Sequence, residues 1–367
     1  MPIGSGSTAQ VFDATHIASG GQVAIKILEA GARSSAELKE RLAREAVMLA
    51  DVTSRHVGRI LGFGYEQDQP FLVLERLHGE TLDDLMKREG APTTAQLLAW
   101  VEQLLIGIRD CHQVGIIHRD IKPANIFLET SDDATYVKLI DFGVARLREI
   151  ATVGVSLTST HHLIGSMGYM APEQFQYAKG VGPQADLYAV GVVLFRAIAG
   201  KLPFVNKSLE KVIRMKCEQD PPMLSSLPHV VALPLLDAFV AKALSRDPTL
   251  RHQDAREMLQ EWWRVVATID AEAPLTIEGM ELAQGEDTNE DLTVTNMEVR
   301  TLTSPDTSVL DHLYDPDSPP TRELPAIEEP VPGHTGLEMP TSPDNSILKV
   351  IRHEIELNRA RTKRGKL

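Results

Sequence analysis

Apolar and polar positions divide the chain into stretches of different texture. Within the first 75 residues, Gln22-Val23-Ala24-Ile25-Lys26-Ile27-Leu28 and Phe71-Leu72-Val73-Leu74 are short apolar or β-branched runs that predict strands. Between them, Ser35 to Ala50 carries Leu38, Leu42, Ala46 and Leu49 at helical spacing, with charge on the other face. From about residue 79 the pattern turns helical. Leu97, Leu98, Val101, Leu104, Leu105 and Ile108 recur at three and four residues and predict one long helix with a buried face. The stretch Asp186 to Ala199 is apolar on most faces, so its helix belongs at the centre of a second lobe. The fold class read from this is α+β, with a small β-rich lobe over 1–75 and a larger helical lobe over 79–266.

After Val266, Thr, Ser, Pro, Asp and Glu dominate through Asn345, and few residues there support a packed core. Residues 267–345 are expected to be an acidic, Thr- and Pro-rich disordered tail. Residues 346–367 place Ile347, Leu348, Ile351 and Ile355 on one helical face ahead of Arg359, Arg361, Lys363, Arg364 and Lys366. That pattern fits a basic amphipathic docking or membrane-surface helix, and equally a solvated chain end.

Charge sharpens this division. The 367 residues carry a net charge of −14. Residues 1–267 hold 31 acids and 28 bases, residues 268–345 hold 18 acids and 2 bases, and residues 346–367 hold 2 acids and 7 bases. The body is nearly balanced and contains no basic block, which argues against general nucleic-acid binding. Only Cys111 and Cys217 are present, which favours a reducing compartment. No apolar run reaches the ~18 residues of a membrane span, and Met1-Pro2-Ile3-Gly4 lacks the apolar region of a signal peptide. The chain reads as soluble and cytoplasmic.

Candidate chemistry begins at Gly4-Ser5-Gly6, which precedes Val11 and then Lys26 within Val23-Ala24-Ile25-Lys26. Glycines at a strand turn let backbone N–H groups approach nucleotide phosphates, and a strand-borne lysine adds a point charge. Glu45, in Arg44-Glu45-Ala46, is placed to hold that lysine, although alone it also fits a solvated helix face. The stronger signal is His118-Arg119-Asp120-Ile121-Lys122-Pro123-Ala124-Asn125, followed by Asp141-Phe142-Gly143. Phosphoryl transfer needs a carboxylate to orient an attacking hydroxyl and accept its proton, together with oxygen ligands for Mg²⁺. Asp120 suits the first role, and Asn125 and Asp141 suit the second. Lys122 stands two residues beyond the base, where it balances charge on the transferred group.

Together these residues resemble the eukaryotic-like Ser/Thr protein kinases of bacteria, from Gly4 to about Trp263. Their roles as given are those of that family's phosphoryl-transfer machinery. The resemblance implies a bilobal protein-kinase fold and an ATP-dependent kinase that phosphorylates protein Ser/Thr hydroxyls with Mg²⁺, Mn²⁺ serving as a substitute. It further implies a catalytic set of Lys26, Glu45, Asp120 and Lys122, with Asn125 and Asp141 at the metal. Leu74-Glu75-Arg76-Leu77 resembles the hinge, where backbone groups of Glu75 and Leu77 hold adenine while Val11, Ala24 and either Phe127 or Leu128 sandwich it. Ala171-Pro172-Glu173 resembles the family's Ala-Pro-Glu element, Asp186 opens the apolar helix in the family's position, and Arg251 resembles the arginine that pairs with the glutamate. Leu49, Ile60, His118 and Phe142 correspond to a hydrophobic column aligned in the active state.

Arg119, directly before the base, resembles kinases whose activation segment is ordered by phosphate, and Thr158 and Thr160 are the candidate phosphosites. Three positions depart from the pattern. Ala9 replaces the third glycine, Ser166 replaces a threonine, and the first strand looks truncated, with only three residues before Gly4. In the tail, Thr288, Thr303 and Thr341 each have an aspartate three residues later, the spacing read by forkhead-associated domains. A homodimer that phosphorylates itself in trans is the other partner implied. Two further classes compete: a pseudokinase-like scaffold that binds partners through its tail, and a small-molecule phosphotransferase with the same base-and-metal logic.

Overall fold

In the computed structural model of the chain, the described residues are 2–6, 9–17, 19–28, 49–66, 69–131, 134–141, 167–176, 181–231, 233–271 and 273–276. The first lobe is an antiparallel sheet of β1 (Pro2–Gly6), β2 (Ala9–Thr15), β3 (Gln22–Leu28), β4 (Ile60–Glu66) and β5 (Gln69–Glu75), in the order β1-β2-β3-β5-β4. The two predicted strands are β3 and β5. β3 is central, so Val23 through Ile27 are all buried and the strand reads as an unbroken apolar run apart from Lys26. The pleat then sorts its side chains. Val23, Ile25 and Ile27 pack with Phe12 and Phe71 in the core of this lobe, and Ala24 and Lys26 lie on the opposite face.

Opposed residues of an antiparallel pair share a face. The register therefore aligns Gly4, Val11, Lys26 and Leu72 in one row across four strands, with Asp13, Ala24 and Leu74 in the parallel row beside it. The first strand, β1, pairs with β2 across a register irregularity between Pro2 and Gly4. Of the helix expected over 35–50, only Leu49 and Ala50 are among the described residues, and both are helical.

The second lobe contains β6 (Gly79–Thr81), α1 (Leu82–Glu89), α2 (Thr94–Gln113), β7 (Ile126–Ser131), β8 (Ala134–Leu139), α3 (Glu173–Gln176), α4 (Gln184–Ala199), α5 (Leu209–Glu218), α6 (Pro234–Ala243) and α7 (Ala255–Val266). Gly79, at φ +141°, is required where β6 meets β7, because a Cβ there would lie 2.0 Å from the Leu128 carbonyl oxygen. A capping box starts α2: the Thr93 hydroxyl accepts from Gln96 N, and Gln96 Oε1 accepts from Thr93 N. The apolar stripe read from the sequence is this helix's buried face. α4 is buried on nearly every face, as expected for the central helix, and Gly191 admits α6 close enough that a Cβ would sit 2.8 Å from that of Ala243. In α7, Ala255, Met258, Leu259, Trp262 and Val265 bury one face against α2, and the Trp262 indole donates to the Leu98 carbonyl at 3.3 Å.

Residues 52–59 fasten the lobes together. Gly58 N donates to Leu139 O and Leu139 N donates to His56 O, both at 2.9 Å, which continues β8 sideways into the first lobe. The Glu75 carboxylate adds a second fastening, accepting from Arg59 N and from Lys138 Nζ at 2.8 Å each. Beyond the boundary expected at 266 the chain stays on the second lobe. Thr94 Oγ1 donates to Ala273 O at 2.6 Å, and Val231 N donates to Leu275 O at 2.9 Å. The rest of the tail and the basic terminal segment lie outside the described residues. No helix among the described residues is long and apolar enough to cross a membrane.

Candidate active site

The loop between α2 and β7 brings the charged motif residues together. Asp120 Oδ2 accepts from Lys122 Nζ at 2.8 Å and from Asn125 Nδ2 at 3.0 Å, and the same amide nitrogen donates to the Asp120 carbonyl at 2.7 Å. The short 3-10 turn Pro123–Asn125 makes this possible by folding Asn125 back over the base. Since Nδ2 is committed to Asp120, Oδ1 is the atom that Asn125 offers to a cation.

The backbone of this loop is held against its own preference. Arg119 has φ +65°, a conformation costing a non-glycine residue on the order of 1 kcal/mol or more. Asp186, at the start of α4 and 1% exposed, supplies the restraint. Its carboxylate accepts from His118 N at 2.8 Å, from Arg119 N at 2.7 Å and from His112 Nε2 at 2.8 Å. Burial pushes this carboxyl up, but His112, His118 and the Arg119 N–H outweigh it and hold it below the usual value. From the other side, Gln174 Nε2 donates to the Arg119 carbonyl at 3.0 Å while its Oε1 accepts from Ala171 N at 2.8 Å. The backbone of Arg119 is thus gripped at both its N–H and its carbonyl.

Asp141 follows β8 with φ +67°. The His118 ring accepts from Asp120 N through Nδ1 at 3.2 Å, which leaves Nε2–H to donate to the Ile140 carbonyl at 2.9 Å. That ring couples the base loop to the residue before Asp141. Across the cleft, Lys26 Nζ donates to Asp141 Oδ1 at 2.6 Å. Burial raises Asp141, but Lys26 foremost, then His118 and Lys122, hold its carboxyl below the ordinary value. An ionised carboxylate and the oriented Asn125 oxygen fit a hard oxygen-seeking cation such as Mg²⁺, which takes few protein ligands and fills the rest from phosphate and water.

The structure places the other expected residues as follows. Val11 and Ala24 lie on the sheet face that carries Lys26, and Gly4 and Gly6 pair with Val11 and Ala9 beside the strand turn. Glu75 ends β5, and its carboxylate ties the lobes; Leu77 is buried and its carbonyl accepts from the Arg76 guanidinium. Of the two residues left open for the adenine floor, Leu128 is 3% exposed in the second-lobe core, whereas Phe127 is half-buried and alternates to the opposite face of β7. Glu45, Phe142, Thr158, Thr160 and Ser166 lie outside the described residues. The expected Arg251 to Glu173 pair is a two-pronged fork, Nη1 to Oε1 at 2.7 Å and Nη2 to Oε2 at 2.8 Å.

Three residues escaped the sequence reading: Gln174, His112 and Lys216. Only Lys216 left a signal, since it falls on the helical face of α5 that carries the apolar Val212 and Met215. Burial lowers its ammonium to about 7. Between that value and the ordinary lysine value the unfolded chain binds the extra proton, so stability rises with pH at up to about 1.4 kcal/mol per unit. Chemical denaturation at pH 7 and pH 8.5 is expected to show this increment in the wild type and not in Lys216→Met. The difference between the two proteins is the readout, because burial raises Cys111 and Tyr188, which act the other way at higher pH.

Residues 1–264 match the protein kinase domain family. The serine/threonine-protein kinase pkn2 of Myxococcus xanthus is 34% identical over 258 residues, covering 70% of this chain and 31% of that protein. The serine/threonine-protein kinase PknL of Mycobacterium bovis is 32% identical over 256 residues, covering 70% of this chain and 62% of that protein. The match therefore spans less than two thirds of these relatives' own lengths. Among solved structures, the PknI kinase domain of Mycobacterium tuberculosis superposes with a TM-score of 0.56 at 24% identity, over 72% of this chain and 94% of that one, a likeness of fold.

Proposed function

The chain belongs to the protein kinase domain family, and on that premise we propose that it is a serine/threonine protein kinase that transfers the γ-phosphoryl group of ATP to protein hydroxyls. The observation that carries the reading is the convergence of Lys122 and Asn125 on Asp120, with the Lys26 to Asp141 pair bonded across the cleft. In the reaction, Asp120 orients the acceptor hydroxyl and takes its proton as the oxygen bonds to the γ-phosphorus and the bond to the bridging oxygen of ADP breaks. Lys122 balances negative charge on the transferred group. Lys26 would turn from Asp141 to the ATP phosphate oxygens, and Asn125 with Asp141 would hold Mg²⁺, or Mn²⁺ in its place. When bound, that ion neutralises charge on the phosphates. The backbone of Glu75 and Leu77 receives adenine, with Val11 and Ala24 above and Phe127 below.

The purified chain, given γ-labelled ATP, Mg²⁺ and casein, is expected to place label on serine or threonine. Label absent from both the chain and casein, at saturating ATP, would favour the scaffold reading instead. Regulation by phosphate on Thr158 and Thr160 is part of the proposal, supported by Arg119 before the base. Alanine at both positions is expected to lower activity at least tenfold, a gap that prior incubation with ATP does not close. Wild-type activity in the double variant would remove that regulation. The Thr-x-x-Asp spacings of the tail support a phosphothreonine-reading partner, trans-autophosphorylation would call for a homodimer, and the cysteine content supports a cytoplasmic setting.

A further inference from the structure

We propose that Lys216 is a positioning residue for the protein acceptor, fixing the backbone of residues 167–170 beside the catalytic loop without taking part in ATP binding. The inference rests on the kinase reading. Lys216 sits in the last turn of α5 and is 1% exposed. Its Nζ donates to the Gly168 carbonyl at 2.6 Å and to the Met170 carbonyl at 2.8 Å, and among the described residues no carboxylate pairs with it. The groups around it are the Tyr188 ring on α4, 5.1 Å from Nζ, Cys217 on its own helix, and Arg251, whose charge is already matched by Glu173 on α3. A lysine so enclosed does not serve solubility, and an apolar side chain would suit the site better unless the two carbonyls need a donor.

The segment it holds has a defined place. Gly168 and Tyr169 are buried in the second lobe, while Met167 and Met170 are half-buried. One residue on, Ala171 N is bonded to Gln174, whose other amide atom grips the Arg119 carbonyl next to Asp120. That bonding sets the segment beside the loop of Asp120, where a protein chain presenting its hydroxyl would lie. Among the described residues no hydrogen bond joins the Lys26 to Asp141 pair to Lys216 or to residues 167–170, so the constant for ATP serves as the internal control.

The test uses the whole chain, with Mg²⁺ and ATP and dephosphorylated casein as acceptor. Lys216→Met keeps the length and removes the donors; Lys216→Gln keeps an NH₂ group on a shorter stem. Lys216→Met is expected to raise KM for casein about tenfold and to leave KM for ATP within about twofold, with Lys216→Gln in between. Should Lys216→Met fail to fold, the same split in Lys216→Gln carries the test. A casein KM equal to wild type, or casein and ATP constants that worsen together, would overturn the inference. A wild type that labels no acceptor would overturn the kinase reading and this inference with it.

Discussion

Asp120→Asn is expected to lower kcat for phosphoryl transfer by about 10²- to 10⁴-fold and to leave ATP affinity nearly unchanged. The geometry explains why the loss falls on kcat. Asp120 Oδ2 holds Lys122 Nζ and Asn125 Nδ2, and an asparagine can present its Oδ1 to the same two donors. Its backbone restraints, Asp186 on Arg119 N and Gln174 on Arg119 O, do not involve the substituted side chain. The loop therefore keeps its shape while the second oxygen, the proton acceptor, becomes an NH₂ group. Calorimetry with ATP and Mg²⁺, beside single-turnover transfer, separates the two quantities. Transfer within tenfold of wild type would mean that Asp120 is not the base, and a parallel loss of ATP binding would mean that the loop had moved.

Much of this site was legible because its chemistry is compressed into short runs. Asp120, Lys122 and Asn125 fall within six residues, and their order and spacing carry the family resemblance that implies a base, a cation and a metal ligand. Lys26 was legible for a different reason: it interrupts an apolar strand, and the pleat puts it opposite Val23, Ile25 and Ile27. The sequence left Phe127 and Leu128 open, because adjacent strand residues differ only in which face they take, and that is set by where the core lies. Gln174 and His112 were not legible, and Lys216 only as a cation on an otherwise apolar helix face. Gln174 and Lys216 bond backbone atoms brought near by tertiary packing, with Lys216 46 positions from its Met170 partner. His112 meets Asp186 from a helix 74 positions away. No local pattern encodes a donor aimed at a distant carbonyl. The Glu173 to Arg251 pair, 78 positions apart, was readable only through the family resemblance.

That pair should also show the largest stability effect. Arg251 is fully buried at its side chain, and it spends Nε on Ser245 O, Nη1 on Glu173 and Gln184 O, and Nη2 on Glu173 and Arg246 O. The guanidinium also lies 4.9 Å over the Tyr188 ring. Arg251→Met strands one carboxylate and three carbonyls, a loss expected to cost about 3–5 kcal/mol. For a domain of this size that corresponds to a fall in Tm on the order of 10 °C. Glu173→Gln is expected to cost less, because the amide oxygen still accepts from Arg251 and only one prong is lost. The double variant Arg251→Met with Glu173→Met is expected to be more stable than Arg251→Met alone, since no charge is then left buried without a partner. Thermal and chemical denaturation of the four proteins measure this, and a loss below about 1 kcal/mol in Arg251→Met would show that the fork is dispensable. Activity is expected to fall with stability in Arg251→Met, because Glu173 is followed directly by Gln174, the residue that grips the peptide unit before Asp120.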